Sequence, residues 1–165
     1  MLMGADVLTE VARPVEDPCA PEIRALAADM WDTMAEEGGI GIAAPQLGVS
    51  LRMICFGRED APGVPRTVLI NPEIEVIGTA TQNGWEGCLS LPGMRGRVDR
   101  AEQIRYRGFD LQGNVIERRV SGMHARVVQH EFDHLEGILY PMRITDWRNF
   151  GFIEALFPKA PNGED

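Results

Sequence analysis

The sequence predicts an α+β fold, with mainly antiparallel β-sheets packed around a central helix carrying HExxH, and with an N-terminal and a C-terminal helix. Three observations predict it. An amphipathic segment opens near Pro21, before any strand-like run. Short strand-like runs then cluster between Leu51 and Val120 instead of alternating with helices. A second well-bounded helical pattern follows the last of them.

The first helix has Pro21 at its start. Ile23, Leu26, Ala27, Met30, Trp31 and Met34 recur on one face, and Gly38-Gly39 ends it. A glycine-bearing loop, Gly39 to Gly48, comes next. Leu51 to Phe56 and Thr67 to Ile70 are apolar runs, and Glu73 to Ile77 alternates. Gln103 to Phe109 and Val115 to Val120 also alternate, joined by turn chemistry at Asp110 to Asn114. Ser121 can cap a helix that runs to about Glu136 and stops at Gly137. Thr145 can cap a last helix through Leu156, stopped by Pro158.

A chain of 165 residues fits one domain with a sizeable core, here taken as 1–165 with a loose tail over 158–165. Apolar residues make up 44% and charged residues 25%, which argues against wholesale disorder. A net charge of −9 argues against direct nucleic-acid binding, which needs a basic stripe. No apolar run has the length of a membrane span, and the segment from Met1 to Val11 has no signal-peptide pattern. Cys19, Cys55 and Cys88 are far apart and odd in number, with no CxxC spacing, so a reducing, cytoplasmic setting is expected.

The chemistry concentrates in His130-Glu131-Phe132-Asp133-His134. On a helix the two histidines lie one turn apart on one face and can share a metal, while Glu131 can reach a water held there. A plain polar helix face is the alternative. A catalytic site of this kind needs a third protein ligand and one open position. His124 is six residues before His130, more than a turn away, and cannot share the metal. Glu154 on the last expected helix is one candidate and a cysteine the other. Cys19 lies near an end in a Pro-rich stretch, Cys55 in an apolar strand where a buried inert thiol is the default, and Cys88 beside Gly87. These grounds alone do not choose among them. Gly39-Ile40-Gly41-Ile42-Ala43-Ala44-Pro45-Gln46 lacks the strand, the third glycine and the Lys-Ser/Thr of a nucleotide loop. Its small residues leading to one Gln suit a wall against which a ligand packs.

Three segments occur in order and at a recognisable spacing: Gly39 to Gln46, Glu86-Gly87-Cys88-Leu89-Ser90, and Gln129 to His134. Together they resemble the three signature motifs of the peptide deformylases. The likeness extends from Val11-Ala12-Arg13-Pro14 to Tyr140 and is nearest the type of Gram-negative bacteria and organelles. It implies a metal-dependent hydrolase that removes the N-formyl group from formylmethionyl nascent peptides and releases formate. It implies Cys88, His130 and His134 as metal ligands and Fe²⁺ as the cellular metal, with Ni²⁺, Co²⁺ or Zn²⁺ as replacements. It assigns Glu131 to proton transfer, and the Gln46 side-chain amide and Leu89 backbone N–H to the oxyanion. Ile40, Gly41 and Gly87 would offer backbone groups to an extended peptide, Arg95 a further contact, and Met123 and Val127 a lining for the methionine pocket. Asp133 is expected to support the site through Arg100, with a solvated helix charge as the alternative, and Glu86, next to the Cys88 segment, to support the site likewise.

Two departures stand out. Asp99 in Val98-Asp99-Arg100 replaces a common proline, and the C-terminal residues are acidic where relatives dock on the ribosome through basic ones. Two other functions compete: a zinc endopeptidase using His130, His134 and Glu154, and a binding module that has lost activity.

Overall fold

The computed structural model describes residues 1–61 and 63–158. In chain order these form α1 (Pro21–Glu36), β1 (Gly41–Ala43), β2 (Met53–Phe56), β3 (Thr67–Val76), β4 (Thr81–Cys88), β5 (Leu91–Ala101), β6 (Gln103–Phe109) and β7 (Val115–Ser121). Then follow α2 (Gly122–Leu135), β8 (Phe150–Phe152) and α3 (Ile153–Leu156). One sheet runs β1-β2-β3-β6-β7 and a smaller one β4-β5-β8. Every paired neighbour is antiparallel. The mixed architecture expected from clustered strands is therefore present.

The apolar run Met53–Phe56 is continuous because both faces of β2 are covered. Met53 and Cys55 join Ile23, Ala27, Met30 and Met34 of α1 in one core. Ile54 and Phe56 point the other way, into a second core with Ala125, Val127, Val128 and Leu135 of α2. Ile42 and Ala43 of β1 divide in the same manner, as do Ile70 and Leu69 of β3. Each fully buried side chain of this size contributes roughly 1.5–3 kcal/mol, so the large sheet is held between the two helices. A third core, with Leu8, Cys88, Leu91, Val98, Leu139 and Tyr140, sits beneath the small sheet.

Several expected boundaries change. The Gly39 to Gly48 loop contains β1 and a 3-10 turn over Ala44–Leu47. The two runs 67–70 and 73–77 are one strand with a bulge at Asn71, whose φ is 49° and whose side chain pairs with both backbone groups of Val15. Ser121 stands at the N-cap of α2, but its hydroxyl makes no cap hydrogen bond.

The C-terminal helix expected over Thr145 to Leu156 is corrected to a 3-10 turn at Trp147–Asn149, then β8, with a single helical turn in α3. Asp146, not Thr145, takes the cap and accepts from the Arg148 N–H. Phe150 packs on Tyr140 with ring centroids 6.1 Å apart, and Gly151 lies opposite Arg95 in the pairing of β8 with β5. Sheet pairing and ring burial outweigh a weak helix propensity here. The tail expected to be loose lies, from residue 159, outside the described residues.

His124 faces inward from α2, against Phe56 and Tyr106. Its Nε2 is 3.2 Å from the Tyr106 hydroxyl, which also accepts from Arg118. Burial lowers its pKa and the Arg118 charge adds to this, against a backbone contact at Gly63. The unfolded chain therefore takes up this proton first as pH falls. Stability supplied by neutral His124 is complete above about 6.5 and declines below it. His124→Leu should flatten the fall of Tm between pH 7 and pH 5. Parallel wild-type and variant curves over that window would show that His124 does not contribute.

Candidate metal centre

The helical repeat of α2 sets His130 and His134 one turn apart, with ring centroids at 5.3 Å. Alternation along β4 turns Glu86 and Cys88 to the buried side, with Trp85 and Gly87 more exposed. Cys88 Sγ lies 3.3 Å from His134 Nε2. One donor atom from each of Cys88, His130 and His134 falls within 4.8 Å of the others, and among the described residues no other such group forms. Thiolate and imidazole are a donor set for Zn²⁺ or Fe²⁺. Glu154 stands on α3 and is not in the cluster. The residues thus fit a three-ligand metal site.

The ligands are held by a buried ionic network. His130 Nδ1 is 2.9 Å from Glu86 Oε2, which leaves Nε2 as the free donor. Glu86 also receives two bonds of 2.9 Å from Arg100 and one of 2.8 Å from Arg126. Arg100 reaches on to Asp133 at 2.5 Å, and Arg143 grips the same carboxylate through two 2.6 Å bonds. The expected Asp133–Arg100 pairing is present, and Glu86 supports the site through His130. Burial opposes ionisation of Glu86, but Arg100 and His130 hold its carboxyl far below the usual range. Burial likewise opposes the His130 imidazolium, yet Cys88 and Glu86 raise it to about 10. Burial and the neighbouring His130 and Arg100 charges keep His134 neutral.

Glu131 is 4% exposed, and its Oε2 has no hydrogen-bond partner. Burial pushes its pKa up to about 7, against the lowering by His130 and Arg100. That is the range in which a carboxylate both takes and returns a proton near neutrality. A Cβ at Gly41 would lie 2.3 Å from Glu131 Oε1, so the glycine is what admits the carboxylate. Gln46 Oε1 accepts from the Ala43 N–H at 2.9 Å, which fixes the amide orientation. Its NH₂ then faces Ser90 Oγ at 3.1 Å and Cys88 Sγ at 3.4 Å.

These groups open on a cavity of about 450 Å³. Gln46, Cys88, Leu89, His130, Glu131, Ile40, Gly41, Gly87, Arg95, Met123 and Val127 all line it. His134, 1% exposed, reaches the cluster from beneath. A Cβ at Gly87 would meet the Arg95 guanidinium at 2.1 Å, so that glycine makes room for the arginine. Trp85, Pro92, Arg126 and Ile153 also line the cavity and were not anticipated. Arg126 could have been found, since Met123, Arg126, Val127 and His130 repeat at helical spacing. Ile153 could not, because it reaches the cavity only through the pairing of β8 with β5, which the expected helix over Thr145 to Leu156 does not include. Among the described residues no helix is long and apolar enough to cross a membrane.

The family model "Polypeptide deformylase" matches residues 1–150. "Peptide deformylase 2" of Ralstonia nicotianae is 54% identical, covering 96% of this chain and 93% of its own. "Peptide deformylase 1" of Bordetella pertussis is 54% identical, covering 98% and 96%. A class I type b peptide deformylase from Acinetobacter baumannii, with Met-Ala-Ser bound, superposes with a TM-score of 0.80 at 41% identity, covering 86% of this chain and 96% of that one. A peptide deformylase from Synechococcus elongatus, in complex with actinonin, gives 0.83 at 35% identity, covering 90% and 79%.

Proposed function

The chain belongs to the peptide deformylase family, and we propose that its 165 residues form one catalytic domain that hydrolyses the N-formyl group of newly made proteins in the cytoplasm. The substrate is a formylmethionyl nascent peptide, and the products are formate and a free N-terminal methionine. The observation that carries this reading is the meeting of Cys88, His130 and His134 with Glu131 and the Gln46 amide around one cavity.

Cys88, His130 and His134 would hold one divalent ion, Fe²⁺ in the cell, with Ni²⁺, Co²⁺ or Zn²⁺ able to replace it. Such an ion supplies Lewis acidity and brings water ionisation toward neutral pH. Glu131 takes the proton of the attacking water and then delivers it to the leaving amine nitrogen. Gln46 Nε2 and the Leu89 N–H donate to the oxygen as charge develops on it. Glu86 keeps the His130 tautomer fixed, and Arg100 links that carboxylate to Asp133. Ile40, Gly41 and Gly87 offer backbone groups to the extended peptide, and Met123 and Val127 line the methionine pocket, with Arg95 at its wall.

The test is formate release. Formyl-Met-Ala-Ser should be cleaved to formate and acetyl-Met-Ala-Ser far more slowly. Gln46→Ala should lower kcat by about 10²–10³-fold, with a smaller effect on KM. Peptide fragments in place of formate, with Gln46→Ala fully active, would overturn the reading.

A further inference from the structure

One charged side chain borders the cavity without a part in the hydrolysis. Met123, Arg126, Val127 and His130 share one face of α2, and all four line the cavity. Met123 and Val127 form the apolar wall proposed for the methionine side chain. Arg126 stands on the same face, with a guanidinium in place of a hydrocarbon group and only 7% exposure.

The guanidinium is fixed by its partners. Nη1 donates to Glu86 Oε1 at 2.8 Å and to the Val98 carbonyl at 3.0 Å, and Nη2 donates to the Gln82 carbonyl. A Cβ at Gly84 would lie 2.9 Å from Arg126 Cζ, so that glycine admits the group. Glu86 has no acceptor capacity left for a ligand, because Arg100, Arg126 and His130 together occupy both oxygens twice. Arg126 Nε differs. It donates to no acceptor among the described residues. Nor is it one of the buried side-chain atoms without a partner there, which are Glu131 Oε2, His134 Nδ1 and Tyr140 Oη. The Nε–H is therefore open to solvent, and the cavity is the open space that Arg126 borders.

We infer that Arg126 lets the pocket accept a methionine whose sulfur is oxidised, so that chains beginning with formylmethionine sulfoxide are a second substrate class. This rests on the deformylase reading and extends its substrate range. A thioether sulfur is a weak acceptor and gains little from a guanidinium. A sulfoxide has the same chain length and carries a polar oxygen on that sulfur. In a wholly apolar pocket this oxygen would lose its hydration and find no partner. Here it accepts from the Arg126 Nε–H in a charge-assisted bond. The sulfoxide is bound and not reacted, and the formyl amide is hydrolysed as before. Its sulfur is a stereocentre and the donor is held in one place, so one epimer fits better than the other.

The test compares kcat/KM on the metal-loaded enzyme for formyl-Met-Ala-Ser, each epimer of its methionine sulfoxide form, and formyl-norleucyl-Ala-Ser, which has the same length and no acceptor. The better epimer should be used within about 10-fold of the methionine peptide, because the new bond offsets the lost hydration. Arg126→Leu should lower sulfoxide use relative to norleucine by about 10–100-fold, the scale of one hydrogen bond to a charged group. Arg97→Ala, which removes a cation outside the cavity lining, should retain the wild-type ratio. Binding of the product Met-Ala-Ser in its sulfoxide form, followed without turnover, should exceed that of norleucyl-Ala-Ser in the wild type. Metal content is measured beside each variant. If Arg126→Leu loses metal, the wild-type rates and product binding still decide. Rejection of both epimers by the wild type at more than about 100-fold below methionine would overturn the inference. So would a sulfoxide-to-norleucine ratio unchanged in metal-loaded Arg126→Leu. Failure to release formate from formyl-Met-Ala-Ser would instead strike at the deformylase reading, so the two outcomes are separable.

Discussion

Glu131→Gln is expected to retain one metal per chain and to lose more than about 10⁴-fold in kcat. General acid–base help from one side chain is worth about 10²–10⁴-fold, and in the proposed mechanism this carboxylate acts twice, on the attacking water and on the leaving nitrogen. The amide has nearly the same shape, so the packing over Gly41 is kept. Glutamine removes the buried acidic group without adding volume, and Glu131 makes no hydrogen bond through Oε2 that would be lost. Metal analysis beside single-turnover formate release separates the two roles. Loss of metal in step with activity would make Glu131 a structural residue.

Cys88→Ala is expected to lose the metal and the activity together, while Cys55→Ala keeps both. The two thiols are both buried, but in different settings. Cys55 lies at the centre of β2, and burial, with Glu131 adding, raises its pKa far above the ordinary thiol value. Cys88 ends β4 within the donor cluster. Wild-type enzyme purified without air should contain one iron per chain and should lose activity on chelation. Full occupancy in Cys88→Ala would remove that residue from the ligand set and return Glu154 to consideration.

The candidate metal centre is legible in the sequence because its chemistry is carried by residue type and spacing. His130, Glu131 and His134 need only a helix, and the apolar residues around them already specify one. The small sheet was not legible. Thr81–Cys88 has Gln82, Gly84 and Glu86 on the face where an alternating strand would show apolar residues, so its buried side carries the Glu86 carboxylate. β5 is similar, with Arg100 buried at 4% exposure. Their burial depends on ionic partners from α2 that no local pattern announces. Phe150–Phe152 became a strand because β5 presents a free edge beside it. For the same reason the cavity lining from Ile153 was missed, whereas Arg95 and Val127, near the motifs, were found.

The division of the ligands between β4 and α2 has a further consequence. Cys88 and His134 are 46 residues apart in the chain and belong to different layers of the fold. All three cysteines are free, so no covalent bridge joins those layers. An ion shared by the two would tie those layers together only in the native state, because the unfolded chain has no preformed site, so the free energy of binding adds to that of folding. Occupancy then becomes a thermodynamic clamp: by mass action, the folded population rises with free metal concentration, and the same event that equips the enzyme for hydrolysis protects it from unfolding.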